Sequence, residues 1–203
     1  MKLLRNILLT VVLLFIAAVA LISWRAANAR DADAQFHSGL TRTLAMRSDS
    51  VTAGGTIPAQ FTCTGPSGMP PSGSPQISWS DAPPQTASFV LIAIDWDVPS
   101  PAFRLLGFTH WTLYDIPSTL QQLDAGISVK DLSGKGATSG MNSGGTVGYT
   151  PPCPPMGIHK YIFRVYALDV PQLQPASPDH DAIIAAMKGH VLGYGELSAF
   201  YSK

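Results

Sequence analysis

Phe89-Val90-Leu91-Ile92-Ala93-Ile94 is six consecutive apolar residues, closed by Asp95 with Pro99 just beyond. A strand with one wet face alternates apolar and polar side chains, so an unbroken run rich in β-branched and aromatic residues reads as a strand covered on both faces. The rest of the chain must therefore supply a layer on each side of it. Tyr161 to Leu168 passes the same test, and Gln76 to Ser80 is expected to pair beside Ser88–Asp95. Phe108 to Ile116 alternates, placing Thr109, Trp111 and Leu113 on one face and Phe108, His110, Thr112 and Tyr114 on the other. Thr41 to Arg47 adds a first strand.

Helices come late. Ser177-Pro178-Asp179 starts one and Gly189 stops it, with Ile183, Ile184 and Met187 as its apolar stripe. A second short helical segment is expected over Val191–Tyr201, against the weakening effect of Gly193 and Gly195. With 18 glycines, 17 prolines and Glu196 as the only glutamate, a helical bundle is a poor fit. The expected fold is mainly β, an antiparallel β sandwich with short peripheral C-terminal helices.

The N-terminus is a separate unit. Lys2 and Arg5 precede an apolar run from Ile7 to Ile22, and Ala27-Asn28-Ala29 follows before Arg30. This is the pattern of a secretory signal over residues 1–29, with an uncleaved inner-membrane anchor over residues 7–22 as the alternative. Either way the remainder is exported, to the periplasm or beyond. Residues 30–40, His37 among them, lack an apolar period and read as a flexible tether, leaving 41–203 as the folded domain. Without residues 1–29 the chain keeps ten basic and thirteen acidic side chains, a formal −3. That balance disfavours nucleic acid as a partner, and membrane contact is expected only through the N-terminal segment.

Three polar segments interrupt the apolar strands: Asp95 to Pro101, Gly107 to Trp111 and Pro152 to Tyr161. Side chains two apart on an extended chain share a face, so Asp95 with Asp97 and His159 with Tyr161 are each expected to point together. The Trp96–Gly107 connection would bring Asp97 and His110 to one sheet edge. Cys63 and Cys153 follow turn-rich sequence, and export permits a disulfide between them. The stretches 65–75 and 126–150 are rich in glycine with serine or proline and read as loops.

These segments carry a resemblance. Ile57-Pro58, Phe61-Thr62-Cys63, Asp95-x-Asp97-x-Pro99-Ser100, Gly107-Phe108-x-His110-Trp111, Pro152-Cys153-Pro154-Pro155-x-Gly157-x-His159-x-Tyr161 and Met187-Lys188-Gly189-His190 resemble the phosphatidylethanolamine-binding protein family. The branch they match is the bacterial one called Raf-kinase-inhibitor-like. The resemblance covers roughly residues 40–203 and implies a Greek-key β fold with a small anion-binding pocket at one end. By matching motif, that pocket would use Asp95, Asp97, His110, Pro152, His159 and Tyr161. The sequence departs from the branch pattern at Trp96 and Val98, and at Thr150 and Pro151 where two glycines are usual.

The resulting expectation is non-enzymatic binding of a small anion, such as phosphate or a phosphorylated head group, with modulation of a protein partner as a further possibility. Two aspartates in an anion pocket call for an explanation, and one is that they hold His110 and His159 charged. The alternatives are a hydrolase using the Asp and His set with or without a metal, and an inhibitor of a protease or signalling protein acting through the rim at Trp96, Val98 and Phe103–Leu106. Neither a Gly-x-Ser-x-Gly nor a His-Glu-x-x-His motif is present, and no cofactor is called for.

Overall fold

The computed structural model describes residues 2–65 and 73–203, so most of the expected 65–75 loop lies outside the described residues. In chain order the elements are α1 (Lys2–Ser38), β1 (Ala45–Arg47), a 3-10 turn (Ala59–Phe61), β2 (Ile77–Ser80), β3 (Ser88–Ser100) and β4 (Phe103–Pro117). There follow β5 (Gln122–Leu123), α2 (Val129–Gly134), β6 (Thr138–Ser139), β7 (His159–Leu168), α3 (His180–Met187) and β8 (Val191–Tyr201).

Two antiparallel sheets form, one ordered β6-β4-β3-β7-β8 and the other β1-β2-β5. β3 lies at the middle of the larger sheet, and both of its faces are covered. Phe89, Leu91 and Ala93 join Trp111, Leu113, Phe163 and Val165 in a core shared with Ile77, Trp79 and Leu123 of the smaller sheet. Val90, Ile92 and Ile94 face the other way, against Ile183 and Met187 of α3 and Phe36 of α1. The two-faced apolar run thus required a second sheet on one side and helices on the other.

Several expectations are corrected. Val191–Tyr201 is a strand, β8, paired with β7 along its length. Its glycines are there for approach: a Cβ on Gly195 would fall 2.6 Å from the Leu44 carbonyl oxygen, and one on Gly193 would strike Thr43. β2 pairs with β1 and β5 in the smaller sheet, so Gln76–Ser80 does not lie beside β3. The Trp96–Gly107 connection is mostly strand, because β3 and β4 run on into a hairpin turning at Pro101–Ala102. Within 126–150 the chain makes α2, capped by the Ser128 side chain, and the short β6.

The 30–40 segment is no tether. Helix α1 runs unbroken through it to Ser38, and Ser23, Ala26, Ala27, Arg30, Asp33, Phe36 and His37 form a half-buried or buried stripe at helical spacing. The stripe is held by charge. Arg164 of β7 is 8% exposed and reaches Asp33 at 2.8 Å and Glu196 of β8 at 2.9 Å. His37 bonds the Asp33 carbonyl at 2.6 Å and the Tyr166 hydroxyl at 2.8 Å. A buried guanidinium that loses one of two carboxylates is costly. A chain beginning at Thr41 is therefore expected to be less stable than one beginning at Arg30 by about 2–4 kcal/mol in urea unfolding. Equal stabilities would restore the tether.

Candidate functional site

The site arises where the alternation of two strands fails. On β4, Trp111 pairs with Ala93 and Thr109 with Ile94, which leaves His110 as an extra residue. On β3, Asp95 pairs with Phe108 and Val98 with Leu106, so Trp96 and Asp97 together face Gly107. Each is a bulge, which redirects side chains from the regular alternation. The first turns His110 to the inner side together with its neighbour Trp111. The second separates Asp97 from Asp95, and it depends on Gly107, where a Cβ would sit 2.4 Å from the Trp96 ring.

Asp95, Phe108, His110, His159 and Tyr161 line a cavity of about 300 Å³ at the end of the inter-sheet core. Val98 and the Thr150, Pro151, Cys153, Pro154 and Pro155 segment complete its wall. The His110 and Tyr161 rings meet edge to face at 5.2 Å, and His159 stacks near Tyr161 at 6.4 Å. Cys63 and Cys153 are bonded, with their Cα atoms 5.3 Å apart. Closing a loop of this size removes about 4–5 kcal/mol of chain freedom from the unfolded state. It ties the proline wall to the 3-10 turn, where the Cys63 amide also donates to the Pro152 carbonyl.

The electrostatics differ from expectation. Asp95 is 2% exposed, and burial pushes its carboxyl above the usual range while the His159 bond pulls the other way. Asp95 Oδ2 lies 2.7 Å from His159 Nδ1, and Oδ1 accepts the Asp97 amide at 2.7 Å. His159 Nε2 donates to the Met156 carbonyl at 3.1 Å, since a carbonyl only accepts. One further proton then lies between Asp95 and His159. On either partner it leaves the pair with no net charge.

His110 has no carboxylate partner. Its Nδ1–H donates to the Thr150 carbonyl at 2.7 Å, and burial lowers its pKa to about 4. The ring is therefore neutral near pH 7, and the expectation of a carboxylate-held cationic His110 is overturned. Its Nε2, left as an acceptor, has no partner among the described residues. The Tyr161 hydroxyl is also buried without a partner there. Burial and the nearby Asp95 carboxylate raise the pKa of that phenol, so it remains an O–H donor.

Two sequence candidates sit outside the cavity lining. Asp97 turns to the opposite side of the hairpin, where Oδ1 takes Arg104 Nε at 2.8 Å and Oδ2 the Lys160 amide at 2.9 Å. Pro152 is buried behind the wall, with its neighbours Pro151 and Cys153 on the cavity. Sequence reasoning missed the Thr150 carbonyl, which carries no residue-type signal because it acts through the backbone. It missed Asp33 and Arg164 as well, since a tether offers no partner. Among the described residues no three His, Cys, Asp or Glu side chains gather as a metal-holding group.

Known proteins share this sequence and fold. Residues 47–202 match the family model described as Phosphatidylethanolamine-binding protein. A UPF0098 protein of Methanothermobacter thermautotrophicus is 38% identical over 150 residues, spanning 73% of this chain and 92% of its own. A Chlamydia trachomatis structure described as a homologue of the phosphatidylethanolamine-binding protein superposes with a TM-score of 0.68 at 33% identity, across 80% of this chain and 99% of that one. Escherichia coli YbcL, described as a member of the mammalian family, gives 0.67 at 26% identity across 79% and 99%. The chain belongs to the phosphatidylethanolamine-binding protein family.

Tyr161 gives a direct test of the cavity chemistry. Replacing Tyr161 with Phe removes a hydroxyl that has no partner among the described residues, so stability is expected to stay level or rise by about 1 kcal/mol. A loss of 2 kcal/mol or more in denaturant unfolding would show that the hydroxyl has a structural partner.

Proposed function

We propose that this domain binds a small anion of the phosphate monoester type and does so without catalysing its turnover. The observation that carries the reading is that two residues lining this largely apolar cavity each keep a polar atom without a partner among the described residues: the Tyr161 O–H, a donor, and His110 Nε2, an acceptor. A phosphate monoester monoanion has the matching set. An ionised oxygen accepts from Tyr161, and the remaining P–OH donates to His110. Asp95 does not repel such a ligand because His159 neutralises it where it stands.

Asp97 and Pro152 act in this reading as supports. Asp97 fixes the start of β7 beside His159 through the Lys160 amide, and Pro152 anchors the wall through the Cys63 amide. We further read the protein as exported and retained at the membrane by α1. The apolar character of Ile7–Ile22, the disulfide, and the packing of Ser23, Ala26 and Ala27 on the folded domain favour an anchor over a detached signal.

The charge argument has a definite sign. The complex contains one proton shared between ligand and His110. Below the second pKa of a phosphate monoester, about 6, the ligand brings that proton itself, so affinity is flat. Above about 6 the proton must be taken up from solvent, because free His110 is neutral. Affinity for phosphoethanolamine is thus expected to fall on the order of tenfold per pH unit between about 6 and 8 in calorimetric titration. Tyr161→Phe should weaken it by roughly tenfold at pH 6. A pH-independent affinity, or an unchanged Tyr161→Phe variant, would sink the reading.

A further inference from the structure

On the outer face of the larger sheet, away from the inter-sheet core, α1 and α3 stand apart and leave a cleft of about 560 Å³. Small-molecule sites commonly occupy roughly 300–1,000 Å³, so the space is large enough for one. One wall is α1, where Ala29, Ala32 and Phe36 share a face. The other is α3, where His180, Ile184 and Lys188 follow one another at four-residue steps and span about 12 Å. The two alanines keep α1 from filling the gap. Trp96 of β3 lies between the walls, and a second hollow of about 280 Å³ continues past it, sharing Ala29, Trp96, His180 and Asp181 with the first.

Trp96 is a position at which the sequence departs from its branch, and its ring is held in place. The Cε3, Cζ3 and Cη2 edge lies on Gly107, where a Cβ would fall 2.4 Å from the ring. Nε1 is on the other edge of the indole and points away from Gly107; it is buried without a partner among the described residues. The His180 ring meets the indole edge to face at 6.5 Å. Its Nδ1–H donates to Asp181 Oδ1 at 2.8 Å, which leaves Nε2 as an acceptor, also without a partner among the described residues. At the other end of the α3 wall, Lys188 pairs with no acid among the described residues. The acids around the cleft are spent: Asp33 on Arg164, Asp181 on His180 and Asp179 on the cap of α3.

We propose that this cleft is a second binding site and that it takes a small phenolic acid, a flat apolar body with a carboxylate at one end and a phenol at the other. The carboxylate meets the Lys188 ammonium. The ring packs among Phe36, Ile184 and the two alanines. The phenol oxygen accepts from Trp96 Nε1–H, and its own O–H donates to His180 Nε2, so both unspent atoms at that end are satisfied by one group. A ligand with a cationic end lacks an unpaired acid to meet it, and a purely apolar one leaves the indole N–H and the ammonium unused. The site is separate from the anion cavity and stands whether or not that reading holds.

The full chain in detergent is titrated with 4-hydroxycinnamate. Saturable binding is expected, unchanged by excess phosphoethanolamine. Cinnamate, which lacks the hydroxyl, should bind several-fold more weakly, and methyl 4-hydroxycinnamate, which lacks the charge, roughly tenfold more weakly. Lys188→Gln, an exposed position whose loss should leave the melting temperature level, is expected to weaken the acid about tenfold and leave the ester as it was; this separates binding at the cleft from uptake by detergent. The Trp96 indole N–H resonance, identified by its loss in Trp96→Phe, should move further with 4-hydroxycinnamate than with cinnamate. Absence of saturable binding, displacement by phosphoethanolamine, equal affinities for acid and ester, or equal shifts of the Trp96 resonance with the two acids would each overturn the proposal.

Discussion

A carboxyl group stands in the middle of a five-stranded sheet, with partner strands on both sides, and has to be neutralised in place. Asp95 is that group. It pairs with Phe108 of β4 and with Tyr161 of β7, so its backbone is held from both sides. An unpaired buried carboxylate costs several kcal/mol, and the fold meets this by delivering His159 from the first position of β7. The Met156 carbonyl then sets the orientation of His159, and the Asp97 amide occupies the second Asp95 oxygen. The turn before β7 and the bulge after Asp95 are both consequences of where this one carboxyl lies.

The same bulge sets the boundary between two surfaces. Were β3 regular, Asp95 and Asp97 would share a face and place two negative charges in one cavity. With Trp96 and Asp97 both opposite Gly107, Asp97 leaves for Arg104 and the Lys160 amide, and the cavity keeps a single, already paired acid. The bulge at His110 does complementary work on β4. A residue outside the strand register has a free carbonyl, and here the Thr150 amide takes it at 2.7 Å while the Thr150 carbonyl takes Nδ1. His110 is thereby clamped from both its backbone and its ring, and only Nε2 is left over.

Much of this was legible in the sequence, for reasons that can be separated. The run Phe89–Ile94 announced a doubly covered strand because period and burial are linked directly. The segment holding His159 and Tyr161 could be placed at a strand start from where the apolar run begins, but Asp95 and His110, expected at strand ends, lie in mid-strand because β3 and β4 run on into their hairpin. Bulges were not legible, since a one-residue shift leaves no compositional trace apart from Gly107, and so the facing of Asp97 was misread. Val191–Tyr201 was misread because helix and strand propensities compete closely there. The pairing of β8 with β7, and the room that Gly193 and Gly195 make for Thr43 and Leu44, decide it through tertiary contact. The stem of α1 escaped notice because its contact stripe consists of small and polar residues, Ser23, Ala26, Ala27, Arg30 and Asp33, which show no apolar period.

The departure from the branch pattern at Thr150 and Pro151 can now be weighed in physical terms. Of the two residues that stand where glycines are usual, Thr150 keeps its amide, and that amide is already committed to the His110 carbonyl. Pro151 is the position that gives up a donor, and it does so on the cavity wall beside Pro154 and Pro155. Losing a wall amide removes one means of holding a fully ionised oxygen. In the proposed reading that would shift the balance toward a ligand that carries a proton of its own and presents an apolar side. Under the proposed anion-binding reading, a wall of prolines around one phenolic donor and one imidazole acceptor would select by protonation state and by what is attached to the anion more than by charge alone.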